Sequence, residues 1–312
     1  MATQADLIPS PGIIARPARQ PDRYKTVTVN GAELAYDERG SGDAVIFVHG
    51  GISDLRIWEK QMAAFSENHR AIAYSRRYAW PNTDILDGVD DQMRPHVDDL
   101  AELITKLDAA PAHLVGNSWG GFICLLTAVR YPELVRSITV EEPPVMPLFV
   151  SNQPKPQELL KLFLTRPRTG AALMKFFGTA MGPAIKTFNK GDLDGGVRVF
   201  ARGVLGADVH ESLPAEVKEA MRANGKALSS ELLGAGFPAF SDDDARRIQA
   251  PTLLITGEKS PALLRRLTDR LHELVPTAQR VDIADASHLM HYEKPASVNT
   301  AVLKFIAGVE EG

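Results

Sequence analysis

The segment around Ser118 has the composition of a tight turn that could carry a nucleophile. An apolar run ends in Gly116-Asn117-Ser118-Trp119-Gly120, and a helical pattern follows directly. Glycines two residues before and two residues after the serine remove the Cβ atoms that would clash in a sharp strand-to-helix turn. Such a turn lifts the serine hydroxyl above the sheet edge and leaves backbone N–H groups free to hold an anion. The pattern therefore predicts nucleophilic catalysis by Ser118.

With a strand before it and a helix after it, this motif resembles the nucleophile turn of the α/β-hydrolases, and the likeness runs from about Tyr24 to the C-terminus. The family's second element is a His-Gly turn after the third strand, and this sequence has Val-His49-Gly50-Gly51 there. The resemblance implies that the backbone N–H groups of Gly51 and Trp119 form the oxyanion hole. Each such donor lowers the barrier by roughly 3 kcal/mol.

A histidine near the C-terminus is expected to act as the general base. His288 lies in a short polar loop after the last predicted strand, where the family places that residue. A serine hydroxyl is a weak nucleophile at its ordinary pKa, so an imidazole must accept its proton and return it to the leaving group. His291 is interpreted as a pocket or structural residue, because no third metal ligand follows at a convincing spacing.

The acid that would orient this histidine departs from the commonest pattern of the family. Ser260 stands where most members have an aspartate, and a serine cannot hold an imidazolium electrostatically. Other members use the end of the sixth strand, where this chain has Glu141 and Glu142 before two prolines. Because adjacent strand residues point to opposite faces, only one of the two is expected to face the site. The prediction is Glu142, with Glu141 and Glu258 left as alternatives.

The elements that must position these residues alternate between short apolar runs and helical stretches, the pattern of parallel strands with crossover helices. The fold class predicted is α/β, a doubly wound and mostly parallel sheet. An antiparallel hairpin around Asn30-Gly31 opens it. Six further strands are predicted, at Ala44–Val48, Ala71–Tyr74, His113–Val115, Ser137–Val140, Thr252–Ile255 and Arg280–Ile283.

Three regions of the chain differ in composition. Residues 1–23 are rich in proline and arginine and are expected to form a flexible N-terminal arm. Residues 24–146 and 249–312 carry the strand pattern and are expected to form the hydrolase core. Residues 147–248 contain only amphipathic pieces broken by glycine and proline, which predicts an inserted helical cap, or lid, over the serine.

Composition and charge narrow the class of function. The 312 residues include 35 Lys and Arg and 39 Asp and Glu, so the net charge is −4. A nucleic-acid-binding protein is expected to carry an excess of positive charge, and nucleic acid is therefore not an expected partner. The single cysteine, Cys124, and the lack of a long apolar run or a signal-peptide pattern favour a cytoplasmic protein that does not act at a membrane. The expected partner is a small-molecule substrate. No cofactor and no metal are predicted, and formation of a homodimer is left open.

Two further interpretations concern the surroundings of the serine. Arg76 and Arg77, after the fourth predicted strand, are interpreted as loop charges. Several aromatic residues are candidate pocket residues and suggest a moderately large, uncharged substrate: Trp58, Trp80, Phe177, Phe188 and Phe200.

The favoured function is a serine hydrolase, a carboxylesterase or lactonase that cleaves a small, largely apolar ester through an acyl-enzyme intermediate. One alternative is a carbon–carbon bond hydrolase of the kind that acts on ring-cleavage products. Members of that group normally carry the aspartate that Ser260 replaces here. A small-molecule-binding protein built on a hydrolase scaffold is the other alternative.

Overall fold

A central sheet organises the computed structural model, which describes residues 23–312. The expected N-terminal arm, except for Arg23, lies outside the described residues. The strands are β1 (Lys25–Val29), β2 (Ala32–Arg39), β3 (Ala44–Val48), β4 (Arg70–Tyr74), β5 (Ala112–Asn117), β6 (Val135–Glu141), β7 (Thr252–Gly257) and β8 (Ala278–Ile283). They are ordered β1-β2-β4-β3-β5-β6-β7-β8 across the sheet.

The sheet is antiparallel at one edge and parallel elsewhere. The pairs β1 with β2 and β2 with β4 are antiparallel, whereas β4, β3, β5, β6, β7 and β8 run parallel to their neighbours. Asn30 and Gly31 take positive φ angles of 44° and 74° in the β1–β2 turn, the conformation that the Asn-Gly pair predicts. The doubly wound α/β fold expected from the sequence is confirmed.

Helices cover both faces of this sheet because its strands are apolar on both sides. In β3, Val45 and Phe47 belong to one buried cluster, and Ile46 and Val48 belong to the other. The helices packed on the sheet are α1 (Glu59–Phe65), α2 (Met93–Lys106), α3 (Ser118–Arg130), α12 (Ala262–Leu274) and α14 (Pro295–Glu310). The first and last of these pack on the Phe47 face. Alternating side chains of one strand therefore join two separate cores.

Between β6 and β7 the chain forms helices and no strand. They are α4 (Pro156–Thr165), α5 (Pro167–Phe176), α6 (Gly182–Phe188), α7 (Leu193–Leu205), α8 (Ala207–Ser212), α9 (Ala215–Ala223), α10 (Gly225–Leu233) and α11 (Asp242–Arg246). A π-helical turn at Phe177–Met181 joins α5 to α6. A short helix, α13 (Met290–Glu293), follows β8. Within residues 23–312, every helix is too short or too polar to cross a bilayer.

The parallel strands bring several polar side chains to one edge of the sheet. His49 follows β3, Ser118 follows β5, Glu142 follows β6 and His288 follows β8. The carboxyl ends of parallel strands lie at the same edge, so residues far apart in sequence meet there. Clefts of doubly wound proteins form at this edge.

Candidate active site

Ser118 lies at the junction of β5 and α3 in a strained backbone conformation. Its φ angle is +51°, a region that residues other than glycine rarely adopt. The turn is closed by glycines: a Cβ atom on Gly120 would lie 2.1 Å from the carbonyl oxygen of Val48, and one on Gly116 would lie 2.6 Å from the carbonyl oxygen of Gly120. The glycine spacing therefore matches a physical need for close backbone approach.

His288 and Glu142 are in direct contact. His288 Nδ1 lies 2.6 Å from Oε2 of Glu142, although the residues are separated by 146 positions in sequence. The other carboxylate oxygen, Oε1, accepts a 2.9 Å hydrogen bond from the backbone N–H of Gly257. Both side chains are buried. A carboxylate that accepts from Nδ1–H leaves Nε2 of the ring as the proton acceptor.

Glu141 forms a second pair of the same kind with His291. Nδ1 of His291 lies 2.6 Å from Glu141 Oε2, and the imidazole stacks on Trp58 at a centroid distance of 4.3 Å. Oε2 also accepts a 3.2 Å hydrogen bond from Asn117 Nδ2. His291 is therefore a buried residue held between a carboxylate and an indole. The described residues contain no cluster of three metal-binding side chains.

The expectation that only one of the two glutamates faces the site rested on strand alternation, which does not extend to Glu142. Glu142 lies beyond the end of β6 with a φ angle of +46°, so the alternation stops at Glu141. Both glutamates are fully buried, and each contacts a histidine. Glu258, the third candidate, is exposed and accepts a hydrogen bond from the backbone N–H of Asp285 at 3.0 Å.

Gly51 and Trp119 line the same cavity as Ser118. Gly51 follows β3, and its backbone passes close to α10, because a Cβ atom on it would lie 2.6 Å from Glu231 Oε2. Trp119 is the second residue of α3, and its ring is buried against the imidazole of His96. The N–H groups of the first turn of a helix have no partner within the helix.

Arg76 is a buried residue that sequence reasoning missed. Its guanidinium donates to the carbonyl oxygens of His49 and Gly50, each at 3.1 Å, and to Oε1 of Glu231 at 2.8 Å. The backbone N–H of Arg76 donates to His49 Nε2 at 2.9 Å. Burial, and then the nearby arginine cation, hold the pKa of His49 well below its usual value. The interpretation of Arg76 as a loop charge is therefore wrong, since it ties the His-Gly turn to α10.

The cavity that contains Ser118 and His288 measures about 550 Å³ and is mostly apolar. Its walls include side chains from the sheet edge, from the helices between β6 and β7, and from α12. Of the five aromatic residues proposed for the pocket, only Phe200 lines it. Trp58, Trp80 and Phe188 are buried elsewhere, and Phe177 is 40% exposed. Aromatic residues that sequence reasoning did not propose contribute instead: Trp119, Phe176, Phe237 and Tyr292.

Known proteins share this architecture. BpoC of Mycobacterium tuberculosis, grouped by its name with the non-heme bromoperoxidases, is 30% identical over 295 residues, which cover 89% of this chain and 98% of that protein. Carboxylesterase YbfK of Bacillus subtilis is 25% identical over 269 residues, covering 85% of this chain and 80% of that protein. Its crystal structure covers 91% of both chains with a TM-score of 0.68 and 22% identity. An enol-lactonase of Burkholderia xenovorans superposes with a TM-score of 0.62 and 20% identity, covering 91% of this chain and all of that one.

A general hydrolase activity agrees with these relatives and with the geometry at the carboxyl edge of the sheet. The family model of the alpha/beta hydrolase fold matches residues 43–295, which span most of the described chain. The resemblance found in the sequence is thereby confirmed, and the chain belongs to the alpha/beta hydrolase fold family.

Proposed function

We propose that this protein is a serine hydrolase that cleaves a carboxylic ester or lactone of a small, largely apolar molecule. The observation that carries the proposal is the 2.6 Å contact between His288 Nδ1 and Glu142 Oε2, in which His288 lines the same cavity as Ser118. That contact supports proton transfer at the free ring nitrogen, Nε2. The apolar lining of the cavity supports a substrate without net charge.

The reaction has two halves. Ser118 Oγ attacks the carbonyl carbon while His288 takes the hydroxyl proton, and the N–H groups of Gly51 and Trp119 stabilise the negative oxygen that forms. His288 then gives the proton to the leaving alcohol oxygen as the carbon–oxygen bond breaks, and an acyl-enzyme remains. A water molecule that loses a proton to His288 attacks this ester. The acid leaves, and the proton returns to Ser118.

Glu142 keeps the imidazole in the required tautomer and stabilises the imidazolium that forms in each half-reaction. Acyl transfer through a serine requires no cofactor, and none is proposed. The helices between β6 and β7 are proposed to act as the cap over the cavity, because residues of α5, α7, α9 and α10 line it. Specificity for the acyl and alcohol parts would then depend on these helices.

A substrate panel and a covalent probe test the proposal together. The wild type should hydrolyse p-nitrophenyl esters or lactones, and a fluorophosphonate probe should label Ser118, as identified by peptide mass spectrometry. Ser118→Ala should lose both the activity and the label. Ser53 lines the same cavity, so Ser53→Ala is the matched control and should keep both. Unchanged ester hydrolysis by Ser118→Ala would rule the mechanism out. Turnover of a ring-fission dienoate without turnover of any ester would favour carbon–carbon hydrolysis instead.

A further inference from the structure

Glu231 is a buried carboxyl group in the wall of the apolar cavity. It lies on α10, its side chain is only 1% exposed, and it lines the cavity together with Ser118. Transfer of a carboxylate from water into such a site has a large desolvation cost. Burial accordingly raises the pKa of Glu231 to about 8. A group retained at this cost inside a substrate cavity calls for a specific role.

Glu231 lines the cavity and has a hydrogen-bond partner on one of its two carboxyl oxygens. Arg76 Nη2 donates to Oε1 at 2.8 Å, and within residues 23–312 the hydrogen bonds of the carboxyl group involve this oxygen alone. The other oxygen, Oε2, lies close to the backbone of Gly51, because a Cβ atom added to Gly51 would be 2.6 Å from it. Since a carbon–carbon bond measures about 1.5 Å, Oε2 lies within roughly 4 Å of Gly51 Cα.

The other carboxylates around this cavity are differently placed. Asp54 is buried, but both of its oxygens accept hydrogen bonds from Arg56, and one also accepts from Asn224. Glu59 and Glu216 line the cavity but are exposed to solvent. Glu231 is therefore the buried acidic group of this cavity wall with an oxygen available to a bound molecule.

We infer that Glu231 selects esters whose acyl part carries a hydroxyl group one or two carbons from the carbonyl carbon. The inference rests on the proposed ester hydrolysis. There the carbonyl oxygen contacts the N–H of Gly51, and the leaving oxygen faces His288. The acyl chain then lies beside the Gly51 backbone, within reach of Oε2. A hydroxyl on the second or third acyl carbon forms a hydrogen bond with this oxygen, accepting from the protonated acid or donating to the carboxylate, whereas an unsubstituted chain leaves the oxygen unpaired.

A purely structural role for Glu231 predicts a different result. As the partner of Arg76, Glu231 also helps to hold the His49-Gly50 turn, so its loss could slow every substrate. A structural defect lowers the rates for hydroxylated and plain esters by the same factor. Loss of a substrate contact lowers only the rate for the hydroxylated ester. The ratio of the two kcat/KM values therefore separates the roles.

The experiment compares p-nitrophenyl 3-hydroxybutyrate with p-nitrophenyl butyrate in the wild type, Glu231→Leu and Glu231→Gln. The ratio of kcat/KM, hydroxylated over plain, should fall by about tenfold or more from the wild type to Glu231→Leu. Glu231→Gln keeps a polar oxygen and should give an intermediate ratio. It also provides the test if Glu231→Leu does not fold. Glu216→Gln, in an exposed residue of the same cavity, should leave the ratio unchanged.

An unchanged ratio in both Glu231 variants would overturn the inference while ester hydrolysis stands. A wild-type enzyme that hydrolyses neither ester, and in which Ser118 is not labelled by the fluorophosphonate probe, would instead overturn the proposed function on which the inference rests. The intrinsic reactivity of the two esters is the same for every variant, so it cancels when ratios are compared.

Discussion

Asn117 Nδ2 donates a hydrogen bond of 3.2 Å to the backbone carbonyl oxygen of His288. The same nitrogen also donates to Glu141 Oε2. The residue that precedes Ser118 therefore joins the loop carrying His288 to the neighbouring pair of Glu141 and His291. Two histidine–glutamate pairs lie side by side, and one side chain links them.

Replacing Glu142 by glutamine should abolish most activity without removing a hydrogen-bonding group. The amide oxygen of Gln can keep the bond from the Gly257 N–H, which places the amide nitrogen against His288 Nδ1. That nitrogen donates, so the ring must carry its proton on Nε2 and cannot accept one from Ser118. We expect Glu142→Gln to lower kcat for a p-nitrophenyl ester by about 10³-fold or more, the scale that the wrong tautomer produces in related mechanisms.

Glu141→Gln is the matched control, because Glu141 is the adjacent residue and pairs with His291 at the same 2.6 Å distance. Its carboxylate is buried, so the substitution should lower the free energy of unfolding by about 1–3 kcal/mol, measured by denaturant titration. The value of kcat should stay within about tenfold of the wild type. If Glu141→Gln were the inactive variant and Glu142→Gln the active one, the assignment of the two glutamates would be reversed.

Gly120→Ala should disrupt the turn that carries Ser118. The added Cβ would lie 2.1 Å from the carbonyl oxygen of Val48 and 2.5 Å from that of His49, and both obstacles are backbone atoms. We expect a loss of at least about 2 kcal/mol in the free energy of unfolding. Gly308→Ala in α14 is the control, since no atom lies within 4 Å of its added Cβ. It should be neutral or stabilising. If both substitutions changed the free energy of unfolding equally, the close approach of Gly120 to the backbone of Val48 and His49 would be contradicted.

Local sequence pattern was sufficient to predict the sheet. Each run predicted as a parallel strand coincides with an observed strand. In an inner strand such as Ala44–Val48, burial on both faces leaves a continuous apolar signal, whereas the edge strand β8 is only partly buried. The tight turn at Ser118 was also predictable from local sequence, because Gly116 and Gly120 lie within the same five residues and indicate a close approach of the backbone. The role of Ser118 in catalysis, with those of His288 and Glu142, stays a prediction.

Other features could not be predicted because they depend on contacts between distant elements. Arg76 and Glu231 are 155 positions apart, and neither lies in a motif that marks it as buried. An arginine after a strand and a glutamate in an amphipathic helix are usually solvated. The alternation of side chains along a strand does not apply to Glu142, because the strand ends one residue earlier and the backbone changes to positive φ. Aromatic residues were poor guides to the cavity, since most of those proposed are buried in the core.

The buried pair of Arg76 and Glu231 should behave as a unit in stability measurements. Arg76→Met leaves the carboxyl group buried beside the His49-Gly50 turn without its cation, and we expect a loss of about 3–5 kcal/mol in the free energy of unfolding. Adding Glu231→Leu removes the unpaired group and should restore a large part of that loss. Recovery should be incomplete, because Arg76 also donates to two backbone carbonyl oxygens. Additive losses in the double variant, measured in the same denaturant titrations, would contradict this coupling.

His113 should make stability depend on pH below neutrality. Its ring is buried in β5, with Nδ1 2.7 Å from Ser137 Oγ, and burial lowers its pKa to about 4. An unfolded histidine has a pKa of about 6.5, so between these values the unfolded chain binds a proton that the folded chain does not. The stability contributed by the neutral ring is present above about pH 6.5 and is lost as pH falls toward 4, by at most about 1.4 kcal/mol per pH unit. The difference in free energy of unfolding between wild type and His113→Gln should therefore shrink from pH 7 to pH 4.5. A constant difference, or an NMR titration midpoint of the His113 ring near 6.5, would contradict the prediction.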